Sequence, residues 1–349
     1  MADTNLTEYR FSFGPWNIHE GADPFGPPVR DSFSFDEKVK FYRELGFVGM
    51  QFHDDDVVPD INTKTHAQLI ERTKQVKQLL QDNGLTPEIV APRLWEDPRT
   101  IDGAYTSNNA RERQYALDRS KRCIDIANEI GCRNIVLWLA REGTYIREAK
   151  DAAAAVGQLL DAVNMMLDYS PNIRILIEPK PNEPMDAAYI PTIGHAIGLA
   201  YASKAPERVG GLIESAHAIL AGLDPSDEMG YALYHKKLWS VHLNDQNGLK
   251  FDEDKAFGSV DLRRAFNQVR ALEENGYGKN GEFVGLDVKA MRTQPRDIST
   301  KHLLNSRKTF LHLLEKVRML DRTVEREFID ARDYEGLDFY ILEHLMGKA

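Results

Sequence analysis

Short apolar runs rich in β-branched and aromatic residues alternate with longer stretches of helical periodicity along the whole chain. The runs predict strands at Phe11–Phe13, Val48–Phe52, Thr86–Val90, Asn134–Trp138, Ile173–Ile177, Val209–Ile213, Leu238–Leu243 and Glu282–Asp287. Between and after them, helical spacing covers Asp36–Leu45, His66–Gln81, Arg111–Ile130, Glu148–Leu167, Ile193–Ala202, Ala216–His235, Val260–Glu274 and Lys301–Val317. Gly46, Gly84 and Gly131 each stand after a helical stretch and before a strand, where helices end. Strict strand–helix alternation implies parallel strands with right-handed crossovers. Eight such units predict closure into an α/β (β/α)₈ TIM barrel over residues 1–320. An open doubly wound sheet would need a glycine-rich phosphate turn after the first strand, and Gly14-Pro15-Trp16-Asn17 is not one. Residues 321–349 continue in helical spacing beyond the eighth unit, so a short C-terminal helical arm is expected there, packed on a neighbouring subunit.

Composition narrows the class of function. The 349 residues are 42% apolar and 28% charged, as in a soluble globular enzyme. A net charge of −10 argues against a nucleic-acid partner, which needs a basic face, and suits a site for cations. Two cysteines, Cys123 and Cys132, make no disulfide framework and read as buried thiols in a reducing compartment. The polar start and the lack of any long apolar run give the expectation of a cytoplasmic protein with no membrane contact.

In a barrel of this kind the site forms where the strands end, on one face. After the second strand comes His53-Asp54-Asp55-Asp56. The fifth is followed by Glu178-Pro179-Lys180-Pro181-Asn182-Glu183, the sixth by Glu214 and His217, and the seventh carries His242. Asp252 and Asp254 follow soon after, and the eighth strand delivers Asp287, then Lys289. Taken singly, acid runs such as Asp54–Asp56 are usually solvated loops, and a lone His217 at a helix start is usually structural. Together they bring acids and imidazoles to the ends of successive strands. Like charges in a low-dielectric cleft repel, and a divalent cation removes that cost, so a metal site is expected.

These residues resemble xylose isomerase over nearly the whole chain. The likeness runs through Phe11-Ser12-Phe13-Gly14-Pro15-Trp16, Asp23-Pro24-Phe25-Gly26, Phe52-His53-Asp54-Asp55-Asp56, Trp138 with Arg141-Glu142-Gly143, Ile177-Glu178-Pro179-Lys180-Pro181-Asn182-Glu183-Pro184, Pro191-Thr192-Ile193-Gly194-His195, Lys250-Phe251-Asp252-Glu253-Asp254 and Leu342-Glu343-His344-Leu345-Met346-Gly347. The resemblance implies a first metal on Glu178, Glu214 and Asp287, and a second on Glu214, His217, Asp252 and Asp254. It implies that His53, paired with Asp56, assists ring opening and that Lys180 binds the carbonyl end of an open sugar. Trp16, Trp138 and a Phe25 from another subunit would wall the pocket.

The departures matter as much. Where the family has an aspartate as fourth ligand of the first metal, this chain has His242, as related rhamnose isomerases and ketose 3-epimerases do. Imidazole suits Mn²⁺ or Co²⁺ better than Mg²⁺, so two divalent ions, Mn²⁺ first, are expected. Ala91 and Leu212 stand where the family has a threonine and an asparagine that contact substrate, and Trp95 replaces a phenylalanine wall. A pocket without those hydrogen bonds would not hold the same sugar hydroxyls.

The first reading is therefore an aldose–ketose isomerase with a modified pocket. A second is a ketose epimerase or a lyase that cleaves a C-glycoside of a 3-oxo-sugar through a metal-stabilised enolate, with a small partner subunit. A third, a barrel kept only as a scaffold, sits badly with the joint retention of Lys180, His53 and both metal sets. A sugar or glycoside ligand and a homo-oligomer are expected under either enzymatic reading.

Overall fold

The computed structural model describes residues 9–21 and 26–348. Strands β1 (Arg10–Phe13), β2 (Gly49–His53), β3 (Thr86–Ala91), β4 (Asn134–Trp138), β5 (Arg174–Glu178), β6 (Val209–Glu214), β7 (Leu238–Leu243) and β8 (Phe283–Leu286) close into one barrel. Each pairs in parallel with its neighbours in sequence, and β8 returns to β1 with Phe13 opposite Leu286. The fold is the (β/α)₈ TIM barrel that the alternation predicts. Every residue of β2 and β6 is buried, as strands covered on both faces require.

The surrounding helices are α1 (Phe35–Leu45), a single turn α2 (Asp54–Val57), α3 (His66–Asp82), α4 (Ala110–Ile130), α5 (Ala152–Tyr169), α6 (Ile193–Ala202), α7 (Ser215–Leu220), α8 (Pro225–Tyr234), α9 (Leu262–Glu274) and α10 (Lys301–Met319). Side chains fix their starts. Ser34 with Glu37 and Thr65 with Gln68 form reciprocal capping boxes on α1 and α3. Gly46 and Gly131 end α1 and α4 in the left-handed region, at φ 78° and 88°, where a side chain would be strained.

Two segments depart from the predicted pattern. The stretch Ala216–His235 is two helices: α7 ends where Gly222 turns left-handed (φ 75°) and Leu223 N donates to Ala218 O, and Pro225 then opens α8, capped by Asp224 accepting from Ser226 N at 2.8 Å. The helix expected from Glu148 begins at Ala152, capped by Asp151 accepting from Ala154 N. Two residue pairs, Gly143–Thr144 and Ala187–Ala188, form a small antiparallel sheet beyond the ends of β4 and β5.

The barrel interior is layered. At the bottom, Glu88 of β3 accepts from Gln51 Nε2 (3.0 Å) and Ser240 Oγ (2.7 Å), and also from Ser12 Oγ. Above it lies an apolar cluster of Ile89, Ala91, Val136, Leu176 and Leu212. Gly285 lets β8 approach here: a Cβ on it would stand 2.4 Å from Val241 O and 3.2 Å from His242 Cδ2. Cys123 and Cys132 are both buried free thiols.

After α10 the chain forms α11 (Arg322–Ala331) and α12 (Tyr334–Met346), which lie on the chain's own barrel helices. Arg270 Nη1 donates to Glu325 Oε1 at 2.5 Å, and His344 Nε2 meets Lys316 O at 2.7 Å. Ile341 is buried, whereas Tyr334, Phe339, Leu342 and Met346 are exposed. Among the described residues no helix is long and apolar enough to cross a membrane.

Candidate metal centre

The carboxyl ends of β5 to β8 bring their polar residues to one point. His242 Nδ1 lies 3.2 Å from Glu178 Oε1, 3.7 Å from Glu214 Oε2 and 4.0 Å from Asp287 Oδ2. His217 Nε2 lies 3.2 Å from both Glu214 Oε1 and Asp252 Oδ2. Glu178, Glu214, His217, His242 and Asp254 are buried, and Asp252 and Asp287 are nearly so. Glu178, Glu214 and His242 form one cluster whose candidate ligand atoms are within 4.8 Å of one another; Glu214, His217 and Asp252 form a second. Asp254 adopts a left-handed backbone (φ 47°), a strained conformation for a residue with a side chain, which aims its carboxylate inward.

The electrostatics explain why such a cluster calls for a cation. Burial, and then the facing carboxylates of Asp252, Asp254, Asp287 and Glu178, push the Glu214 carboxyl well above its ordinary range. Burial and Asp252 push Asp254 up to about 8. Burial would lower His242, but Glu178 outweighs it and raises the imidazole to about 9. Burial would also lower Lys180 and raise Asp252; their ion pair at 2.8 Å reverses both, holding the amine charged and the carboxyl well below the usual range. The buried atoms His217 Nδ1, His242 Nε2 and Asp252 Oδ1 have no hydrogen-bond partner among the described residues. An orphaned carboxylate oxygen amid crowded acids, with imidazole nitrogens at hand, fits a divalent cation of the kind that takes mixed N and O ligands.

Neighbouring amides hold the acids in place. Asn244 Nδ2 faces Glu214 Oε1 (2.9 Å), Asp254 Oδ1 (3.1 Å) and Asp287 O (2.9 Å), while its Oδ1 accepts from Ala216 N. Trp16 Nε1 and Asn17 Nδ2 both donate to Asp287 Oδ1, at 2.9 and 3.0 Å. Lys289 pairs with Asp254 Oδ2.

The cluster opens into a chamber of about 480 Å³ whose other walls are Trp16, His53, Arg93, Trp95 and Trp138, with Ile89, Ala91 and Val136 as its floor. Trp95 packs edge-on against Trp138, with centroids 4.7 Å apart, and the His53 ring lies between Trp16 and Trp95 at 4.2 and 5.0 Å. Leu212 lies wholly buried in the apolar cluster that carries this floor. A neighbouring cavity of about 410 Å³, lined by His19, Lys301 and His302, shares Asp252 and Lys289 with the chamber but contains none of the Glu178–Glu214–His242 cluster. Phe25 lies outside the described residues.

The acid run after β2 is not a solvated loop. Asp54 is fully buried and takes a two-point contact from Arg119, with Nη2 at 2.7 Å from Oδ1. Asp56 lies 3.3 Å from His53 Nδ1 and accepts from His53 N at 2.8 Å. Three contributors have no role that the sequence alone assigns: Arg93, Asn244 and Glu142. Asn244 stands two residues beyond His242, and a period of two puts both on one strand face. Glu142 accepts from Ala104 N, Tyr105 N, Thr106 N and Thr106 Oγ1, all within 3.1 Å, and so ties the loop before α4 to the end of β4. The motif Arg141-Glu142-Gly143 marks the position of this acid, but not the backbone donors that surround it.

The architecture is shared with several solved proteins at low identity. A 3-keto-D-glucoside 4-epimerase, YcjR from E. coli, is 14% identical with a TM-score of 0.61, the match spanning 86% of this chain and 99% of that one. A D-tagatose 3-epimerase-like protein is 16% identical, with a TM-score of 0.60 over 88% and 98% of the two chains. An IolI protein with a bound zinc atom is 13% identical, with a TM-score of 0.61 over 89% and 100%. Over residues 39–296 the sequence matches the family described as xylose isomerase-like TIM barrel, and the chain belongs to that family.

Proposed function

We propose that the chain is a divalent-metal-dependent enzyme that removes a proton beside the carbonyl of an oxo-sugar and then expels the substituent carried on the next carbon. The observation that carries this reading is the divided character of one chamber. One end is the acid–imidazole cluster; the other is three tryptophans over an apolar floor of Ile89, Ala91 and Val136. Trp16 and Trp138 suit the apolar face of a sugar ring, but Trp95 with the floor at Ala91 adds flat apolar wall where a sugar hydroxyl would need a polar partner, which suits an aryl substituent. The names of the similar proteins, for a 3-keto-glucoside and for D-tagatose, point to sugars that carry a ketone.

Glu178, Glu214, His242 and Asp287 would hold the first ion, and Glu214, His217, Asp252 and Asp254 a second. The cation supplies Lewis acidity toward the carbonyl. With His242 among the ligands, Mn²⁺ or Co²⁺ suits the set better than Mg²⁺. Lys180, held as an ammonium by Asp252, donates to the carbonyl oxygen as negative charge develops there. With only the first ion bound, the C–H proton would pass to His217 Nδ1, which has no hydrogen-bond partner among the described residues while its Nε2 faces Asp252, and His53 with Asp56 is assigned to the sugar oxygens. The pair of the broken C–H bond becomes the new C=C bond, and the pair of the carbon–aglycone bond leaves with the aglycone, which takes up a proton, giving an enone and the freed aglycone. Trp16, Trp95, Trp138 and a neighbouring subunit's copy of Phe25 would wall the site. The exposed apolar side of α12 supports association of copies.

Aldose–ketose isomerisation is the second reading, favoured by the retained placement of Asp56 3.3 Å from the His53 ring. Chelated protein reloaded with Mn²⁺ and offered a panel of free aldoses and an aryl 3-oxo-glycoside separates them, with and without a small subunit co-purified from the source. Release of aglycone supports the lyase. Conversion of free aldoses to ketoses with the oxo-glycoside untouched rejects it.

A further inference from the structure

His53 Nδ1 has two claimants. Arg93 Nη2 stands 2.6 Å from it, and Asp56 Oδ2 stands 3.3 Å away. Asp56 would accept a proton from Nδ1; Arg93 can only donate, because a guanidinium has no acceptor. The nearer partner is the arginine. The remaining demands on Asp56 are met without the imidazole, since its Oδ2 already accepts from His53 N and its Oδ1 faces Arg93 Nη2 at 3.7 Å. Arg93 is itself fixed, by Asp55 at 2.9 Å and Glu96 at 3.2 Å, and its backbone N–H donates to the buried Asp54. A doubly protonated imidazole would set two donors against each other at 2.6 Å.

We infer that Arg93 is a positioning residue that holds His53 neutral with its proton on Nε2, so that His53 presents a hydrogen-bond donor to the chamber rather than a base. A donor there recognises an acceptor oxygen of the bound sugar, a ring, glycosidic or carbonyl oxygen. It does not take a proton from a ring hydroxyl, which is the step expected when a carboxylate alone orients the imidazole. For the lyase reading this consequence rests on the proposed function, because such a substrate needs no ring opening. The tautomer itself does not depend on that reading.

The test is nitrogen NMR on the metal-free full chain with ¹⁵N-labelled histidine, the His53 signals being assigned by their loss in His53→Gln. The expected wild-type pattern at neutral pH is a protonated Nε2 and an unprotonated Nδ1. In Arg93→Met the proton is expected to move to Nδ1, toward Asp56, while Arg93→Lys, which still donates, keeps the wild-type pattern. On the active substrate, Arg93→Met should lose roughly tenfold to a hundredfold in kcat/KM, as for a lost hydrogen bond to a charged partner, and Arg93→Lys should recover part of it. A wild-type spectrum with the proton on Nδ1, or an imidazolium at neutral pH, overturns the inference even if neither variant folds. An unchanged tautomer in folded Arg93→Met also overturns it. Failure to act on an oxo-glycoside with the tautomer as expected would reject the lyase reading alone.

Discussion

The ammonium of Lys289 stands directly against the buried Oδ2 of Asp254, so one acid of the candidate second metal set already has a cationic neighbour. Lys180 does the same for Asp252 at 2.8 Å. A second ion would have to displace both lysines, whereas no lysine or arginine is paired with Glu178 or Glu214 among the described residues. Two ions are expected under saturating Mn²⁺, the second the weaker. Lys289→Met should tighten the second by roughly tenfold, taking about 1.4 kcal/mol per decade. Calorimetric titration with elemental analysis measures both. A stoichiometry that stays at one ion per chain rejects the second set and leaves the site of Glu178, Glu214, His242 and Asp287.

The imidazole of His242 should decide which ion works best. It sits 3.2 Å from Glu178 and within reach of Glu214 and Asp287, the place where an oxygen ligand would favour Mg²⁺. After chelation, add-back of Mn²⁺ or Co²⁺ should restore more activity than Mg²⁺, and His242→Asp should move the order toward Mg²⁺. Equal activity with all three ions in the wild type would show that the imidazole does not discriminate.

Without metal, the same cluster makes stability depend on pH with a definite sign. His242 is raised from 6.5 to about 9 and Asp254 from 3.8 to about 8, so the folded state binds more protons than the unfolded one between these limits. The His242 contribution is complete below pH 6.5 and disappears as pH rises through 9. That of Asp254 is complete below pH 3.8 and disappears as pH rises through 8. Both therefore fall between pH 6.5 and 8, and that of His242 continues to fall up to 9, so the melting temperature of the chelated chain should drop from pH 6.5 to 9. Metal needs the deprotonated forms, so Mn²⁺ should bind more tightly as pH rises and flatten the decline. Thermal melts from pH 6 to 9, with and without Mn²⁺, check it. A metal-free melting temperature that rises with pH would contradict the assignment.

The barrel was legible because its strands are buried on both faces. Unbroken apolar runs such as Asn134–Trp138 stand out between amphipathic helices, and the acids that follow them then fall on one rim. Boundaries set by a single residue were harder. The break at Gly222 hides inside a long helical period, and Asp151 caps α5 where Glu148 already looks helical. The acids and histidines of the site announced themselves by their positions at strand ends. Arg93 did not: it lies in the loop after β3, and only the packed structure puts its guanidinium on His53. From sequence Leu212 stands for a lost substrate contact, and its position two residues before Glu214 does not show that it packs beneath the floor.

That placement sharpens what to expect of D-xylose. Ala91 lines the chamber, so a sugar hydroxyl that meets it has no partner there. Such a loss costs about 1–3 kcal/mol. Leu212 is buried below the floor and meets no hydroxyl, so the Ala91 loss alone lowers efficiency by roughly one to two orders of magnitude, at about 1.4 kcal/mol per decade. D-xylose should therefore be a poor substrate. The two positions differ as targets for repair. Ala91→Thr puts a hydroxyl on the chamber wall and should raise kcat/KM for D-xylose by roughly tenfold, one hydrogen bond's worth. Leu212→Asn instead buries an amide among Ile89, Val136 and Leu176, where it finds no partner, and should lower the melting temperature without helping the sugar. Steady-state kinetics on D-xylose with Mn²⁺, wild type against the two variants, reads out both effects. A wild-type specificity constant in the usual range of sugar isomerases would mean that other side chains or ordered water supply the missing contacts, and the apolar floor would then be no barrier to a free pentose.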